Sequence, residues 1–281
     1  MTVQIYAHRG ASEMYAEHTR AAYLQALAEG ADGVECDLHL TADGELVLIH
    51  DDEVSRTSNG SGAVAALTLA ELRGLDFSSW HGASIPPSYG TTSTQLLTLP
   101  ELLKILGGAG RTIGLAIEFK YGAVFDPVLI EATFKTLRRH GWSPENSTAG
   151  NVMISFMSFH PAAVKYLAVH VPAKHLCQLL ELIDGQDAYA NQELVSLMRA
   201  AMAEGEQLLD DGVAHLAGPG VEYLRTFPEK AARWLASGRT FRVWTIDTAD
   251  DVQLCLSAGV RELTTNKPRE IRSRLAAERR I

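Results

Sequence analysis

The chain has 281 residues, 46% of them hydrophobic, and a formal net charge of −9. That length suits two ordinary domains or one large α/β barrel, and the acidic balance argues against nucleic acid or an anionic membrane as the main partner. An anionic substrate would have to be drawn in by local positive charge or by a metal. The three cysteines, Cys36, Cys177 and Cys255, are far apart and form no CxxC pair, so neither a disulfide framework nor a zinc cluster is expected. With no signal-like leader and no run of 18 apolar residues, the expectation is a cytoplasmic protein with no stable membrane association.

Strand-like apolar runs occur at 3–8, 33–40, 45–50, 112–120, 151–159, 174–180, 212–216, 241–246 and 260–265. Amphipathic helical patterns lie between them at 19–29, 126–140, 191–204, 221–237 and 249–258. Strands alternating with helices make βα units and a parallel sheet. Eight such units close into a TIM (β/α)8 barrel of this length, with a doubly wound open sheet as the alternative. Nine runs are one too many. The Asp43-Gly44 pair between the second and third runs is a hairpin signal, so 45–50 is expected to return antiparallel and bring His50 back beside 33–40. The other eight runs then form the barrel.

The rhythm stops between about 52 and 100. This stretch reads as a small cap inserted after the third strand-like segment, within a single domain spanning 1–281. Its aromatic content (Phe77, Trp80, His81, Tyr89) favours a cap lining a pocket over a surface excursion with its own apolar cluster. A short helix is expected at 68–74. Whether the tail, 269–281, is helical is left open.

Chemistry concentrates near the N-terminus. Glu35 and Asp37 sit two apart in the run Gly33-Val34-Glu35-Cys36-Asp37-Leu38, so their side chains share one face of a strand and Cys36 points the other way, into packing. Two like charges side by side repel unless something positive stands between them, and a hard divalent cation with oxygen ligands is the simplest resolution. Glu118 and Lys120 also share one face, at the end of another run. They read either as an ion pair on the barrel rim or as a third carboxylate ligand with a phosphate-binding cation. His8-Arg9-Gly10 follows the first strand, where a barrel builds its active-site rim. An arginine fork there suits phosphate oxygens. Trp244 ends a late strand and either walls a pocket or fills the barrel top. No GxSxG elbow, Walker loop or HExxH is present, which leaves nucleophile-hydrolase readings without support.

The series His8-Arg9-Gly10-Ala11, Glu17-His18-Thr19, Gly33-Val34-Glu35-Cys36-Asp37, Thr41-Ala42-Asp43-Gly44, His50-Asp51-Asp52, Arg56 to Gly62, Glu118-Phe119-Lys120 and Trp244-Thr245-Ile246-Asp247 resembles the glycerophosphodiester phosphodiesterase family over nearly the whole chain. The resemblance implies hydrolysis of glycerophosphodiesters to glycerol 3-phosphate and an alcohol. It implies one divalent cation, Mg2+ or Ca2+, held by Glu35, Asp37 and Glu118. It also implies acid–base catalysis by His8 and His50, with phosphate bound by Arg9 and Lys120. Glu17, Trp80, Tyr89 and Trp244 are expected around the pocket. His18, Asp247 and Asn266 depart from the usual Asn, Asn and Asp of that family and bear on the finer shape of the pocket. The competing readings are a lysophospholipase D-like or other polyol phosphodiesterase on the same site, and a phosphate-ester-binding protein without turnover. A homodimer is left open.

Overall fold

The computed structural model describes residues 3–183 and 192–278. Eight parallel strands close into a barrel: β1 (Gln4–Ala7), β2 (Gly33–Leu40), β4 (Ile113–Phe119), β6 (Val152–Ser158), β7 (Leu176–Leu180), β8 (Leu216–Pro219), β9 (Thr240–Val243) and β10 (Glu262–Thr265). Closure is made by β1, which pairs with β10 on one side and with β2 on the other. Two further strands lie antiparallel on this frame. β3 (Leu46–Leu48) returns along β2 with Leu38 opposite Leu48, and the two-residue β5 (Thr148–Ala149) pairs with β6. The hairpin read from Asp43-Gly44 is therefore present, and it carries His50 back toward β2.

The helices α1 (Arg20–Ala28), α2 (Leu69–Arg73), α3 (Leu99–Gly107), α4 (Val128–Arg139), α5 (Pro161–His170), α6 (Gln192–Asp210), α7 (Val221–Thr226), α8 (Pro228–Ala236), α9 (Ala249–Ser257) and α10 (Pro268–Glu278) follow the strands or build the inserted segment. The single helix expected over 221–237 is two, because Pro228 disfavours helical backbone at Phe227, which sits at φ −124° and ψ 55°. The strand expected at 212–216 is displaced to Leu216–Pro219, since α6 runs on to Asp210 and Gly212 turns the chain at φ +78°. The sequence Leu216-Ala217-Gly218-Pro219 reads as a turn, yet it pairs with β7 and β9 as a strand, and residue 218 is glycine for steric reasons: a Cβ there would stand 2.6 Å from Cys177 Sγ. α10 makes the tail helical as far as Glu278. The expected helix start at Asn191 and the last three residues of the tail lie outside the described residues.

Strand alternation splits the interior into two zones. Val34, Cys36 and Leu38 of β2 point outward into the main core between sheet and helices, with Tyr23, Phe134, Leu167 and Trp234 from the helices. The inward face is unusually polar. Arg242 is buried inside the barrel, donates to Glu262 Oε2 at 2.7 Å and to Ser155 Oγ at 2.8 Å, and lies 4.0 Å over the Tyr6 ring. Gly33 and Gly114 leave room for that side chain, since a Cβ at Gly33 would meet the ring at 2.3 Å and one at Gly114 the hydroxyl at 2.4 Å.

The segment between β3 and α3 has its own apolar cluster, in which Val54, Val64, Leu72 and Phe77 pack on Val47, Ile49 and Leu96. Thr68 and Thr98 each close a capping box with the glutamate three residues on, starting α2 and α3. The α3 signal, Thr98-Leu99-Pro100-Glu101, was readable in the sequence, though no helix was expected there.

Candidate active site

A cavity of about 390 Å³ opens at the C-terminal ends of the barrel strands, lined by His8, Arg9, Glu35, His50, Glu118, Lys120, Trp244 and neighbours. In a (β/α)8 barrel this is the functional face. Each polar group arrives there by strand geometry. Glu35 and Asp37 occupy successive inward positions of β2, and the β2–β4 register sets Asp37 opposite Glu118. His8 follows β1 directly. Arg9 and Gly10 then turn the chain with φ +58° and +86°. Gly10 has no substitute here: a Cβ would stand 2.7 Å from the backbone and Cβ of Ala22.

Ligand atoms of Glu35, Asp37 and Glu118 lie within 4.8 Å of one another. At that separation two carboxylates repel by roughly 3 to 4 kcal/mol at an effective dielectric of 20. Burial, then repulsion from Asp37, pushes the Glu118 carboxyl up to about 7. Burial and the same neighbours raise Glu35 as well. Asp37 goes the other way. Burial works against its charge, but Lys120, His18 and Arg9 together hold it well below the usual carboxylate range. Lys120 Nζ stands 2.6 Å from Glu118 Oε1 and 3.1 Å from Asp37 Oδ1, and Arg9 Nε is 3.5 Å from Asp37 Oδ2. Glu35 Oε1 is buried yet accepts no hydrogen bond, and Asp37 Oδ1, also buried, has Lys120 Nζ beside it at 3.1 Å. Three hard oxygen donors with open lone pairs and excess negative charge fit a divalent cation.

The two histidines differ in setting. His8 is held by Asn266, whose Oδ1 lies 2.8 Å from Nδ1. Burial, then Arg9, lowers its pKa to about 4, so the ring is neutral at pH 7. His50 Nδ1 lies 2.6 Å from Asp51 Oδ1, and burial lowers its pKa too. Asp51 is held in turn by Arg56, which also grips Glu17, and Glu17 accepts from Arg9 Nη1 at 2.9 Å. A chain of alternating charge thus runs from His50 to Arg9 through a residue of the inserted segment.

Of the residues expected around the pocket, Trp244 lines the cavity, its ring edge against Phe159 with centroids 5.5 Å apart. Glu17 lines two adjoining clefts rather than the cavity itself. Trp80 and Tyr89 are not on its wall, which corrects the expectation. Trp80 is 43% exposed, with its indole donating to Phe77 O. Tyr89 packs edge-on against Tyr15 and donates to Gln25 Oε1 of α1. These aromatics stand on the segment's outer surface or dock it to the α1 side. Sequence reading missed Arg242, Met157, Leu179 and Glu181, which line the cavity. Their inward i, i+2 positions at strand ends were the available signal. It also missed His18 as a partner of Asp37, with Nε2 2.8 Å from Oδ2.

Residues 8–270 match the model of the glycerophosphoryl diester phosphodiesterase family. The chain is 35% identical to the probable glycerophosphodiester phosphodiesterase 1 of Mycobacterium tuberculosis, over 94% of this chain and 89% of the relative. It is 30% identical to the glycerophosphodiester phosphodiesterase of Bacillus subtilis, over 93% and 83%. Among solved structures, an Oleispira antarctica phosphodiesterase in complex with the product sn-glycerol-3-phosphate superposes with a TM-score of 0.76 at 24% identity, covering 97% of this chain and 96% of that one.

Proposed function

Because this chain belongs to the glycerophosphoryl diester phosphodiesterase family, we propose that it hydrolyses glycerophosphodiesters to glycerol 3-phosphate and an alcohol at the cavity built around His8 and His50. The observation that carries the reading is the convergence of two histidines, two cations and three buried carboxylates at one barrel mouth. Glu35, Asp37 and Glu118 would hold a divalent cation, magnesium or calcium, which would supply positive charge toward phosphate oxygens and lower the pKa of a nearby hydroxyl.

The remaining chemistry belongs to the side chains. Arg9 and Lys120 bind the phosphate oxygens and offset charge that builds on them. His8, neutral at pH 7, takes the proton of the glycerol 2-hydroxyl as that oxygen bonds to phosphorus. His50, whose Nδ1 faces Asp51, is the better stabilised as an imidazolium and gives its proton to the departing alkoxide as the ester bond breaks. The cyclic phosphate is then opened by water with the two roles exchanged. Trp244 and Phe159 form the apolar wall against which the carbon skeleton lies.

We treat the whole chain as one barrel domain with 52–100 as a cap inserted in it. Cytoplasmic residence is supported by three cysteines that are buried and unpaired. No helix among the described residues is long and apolar enough to cross a membrane.

The test is release of glycerol 3-phosphate from glycerophosphocholine with magnesium, calcium or EDTA. Turnover that EDTA abolishes, and that drops by about 10²-fold or more in His8→Ala and His50→Ala, is expected. Folded protein inactive with either metal on a panel of glycerophosphodiesters would overturn the reading. Choline release from lysophosphatidylcholine in the same assay separates the lysophospholipase D alternative.

A further inference from the structure

Behind His8 lies a second, polar cleft of about 400 Å³, which His8 shares with Asp247 and Asn266. Asp247 follows β9 and Asn266 follows β10, so three strand ends meet there. Asp247 Oδ2 accepts from the Asn266 amide Nδ2 at 2.6 Å. Its Oδ1 accepts from the Asn266 backbone N at 2.9 Å and from Thr265 Oγ1 at 2.8 Å. A carboxylate only accepts, so it fixes which end of the Asn266 amide faces it. The other end, Oδ1, is left facing His8 Nδ1 at 2.8 Å. An amide oxygen also only accepts, so Nδ1 must carry the hydrogen. Ser12 Oγ, 2.8 Å from Asn266 Oδ1 and from His8 O, can donate to either and reverses nothing.

We propose that Asp247 and Asn266 act together as positioning residues that hold His8 in its Nδ1–H tautomer, with the Nε2 lone pair free to take a proton. The proposal rests on the reading of His8 as the base. The relay puts a neutral amide, not a carboxylate, against the ring. It orients His8 without placing a full negative charge beside it; burial, then Arg9, keeps the ring unprotonated at neutral pH. The charged groups that act on His8 are Arg9 on its own element, Asp37 on β2 and His18 ahead of α1. Across the two clefts stand Glu13, Glu17 and Lys267 on one side and Glu35, Glu118 and Lys120 on the other.

The first measurement needs no variant: the ring 15N shifts of His8 in the metal-loaded wild type, assigned by comparison with His8→Ala. A protonated Nδ1 and a bare Nε2 at neutral pH are expected, and the opposite tautomer would overturn the proposal. Two near-isosteric variants follow. In Asp247→Asn the second amide can donate as well as accept, so the Asn266 amide is free to turn its Nδ2 toward His8. The Nδ1–H signal should weaken and kcat fall by about 10²-fold with KM little changed. Asn266→Asp alone would set a second carboxylate 2.6 Å from Asp247, so it is paired with Asp247→Asn: the double variant keeps one carboxylate and one amide but puts the charge against the ring, and the acid limb of kcat/KM should move to higher pH by about a unit. If Asp247→Asn leaves both tautomer and kcat as they are, the pair merely ties two loops and the proposal fails. Failure of the underlying reading shows separately, as turnover that survives His8→Ala.

Discussion

Arg56 holds Glu17 at two points: Nη1 donates to Oε2 at 2.9 Å and Nη2 to Oε1 at 2.8 Å. The same guanidinium donates twice to Asp51, from Nε at 2.6 Å and Nη2 at 3.0 Å. One side chain of the inserted segment therefore braces the partner of His50 and the partner of Arg9. A planar fork can do this, whereas an ammonium cannot match four acceptor directions at once. Arg56→Lys should lower kcat by roughly ten- to a hundredfold while the fold persists, since a loosened acid–base group costs about that much. Steady-state kinetics beside a thermal melt checks this. Wild-type kcat in a folded Arg56→Lys protein would show that the brace has no catalytic consequence.

The acidic cluster is costly to the metal-free protein. Glu35 is buried, raised in pKa and repelled by Asp37 and Glu118. Glu35→Gln removes an ionisable group from this crowd. In EDTA the variant should be as stable as the wild type or more so, and it should lose the gain that added magnesium or calcium brings. Melting temperatures with and without metal read both effects. A variant that gains as much from metal as the wild type would remove Glu35 from the ligand set.

His8 has a pKa of about 4 in the folded chain, against about 6.5 when unfolded. Between those values the unfolded chain binds a proton that the folded chain does not, so stability rises with pH across that window. His8 costs nothing above about pH 6.5. Its cost grows as pH falls toward 4, to at most about 3 kcal/mol. Urea unfolding at pH 7 and pH 5 should show a smaller acid loss in His8→Gln than in the wild type. Equal losses would mean that His8 titrates alike in both states.

Gly10→Ala should destabilise by about 2 kcal/mol or more, because the added Cβ strikes Ala22 and the positive φ is disfavoured for alanine. A substitution at Gly44, where φ is +80° but nothing lies within 4 Å of a built Cβ, should cost only the conformational part. Comparing Gly10→Ala with Gly44→Ala by urea unfolding separates crowding from backbone strain, and equal costs would remove the crowding argument.

Period-two alternation made one inference reliable: Glu35 and Asp37 face one way and Cys36 the other, because the pleat is a local property of the strand. The Asp43-Gly44 turn likewise announced a hairpin, and with it the return of His50. The eight barrel strands were visible as apolar runs, with helical patterns between several of them, though α3 and α5 were not expected. Errors came where a local signal conflicted with a distant one. The strand at Leu216–Pro219 contains Gly218 and Pro219, both turn-formers, and is held by its pairing with β7 and β9, while β7 leaves no space for a side chain at Gly218. Trp80 and Tyr89 were expected at the pocket because aromatic residues in an insertion suggest a lining, but composition does not say which face of the insertion meets the barrel.

The sequence by itself determined the inventory of polar groups and the faces that Glu35 and Asp37, and Glu118 and Lys120, share within each strand, all set by neighbours a few residues apart. The tertiary structure alone decided the contacts that give each group its state. Asp37 meets His18, Arg56 reaches Glu17 across 39 residues, and Asn266 meets His8 across 258. Such pairs arise only when the barrel closes, since strand register and side-chain rotamers, and not proximity in the chain, choose which polar atoms come within 3 Å.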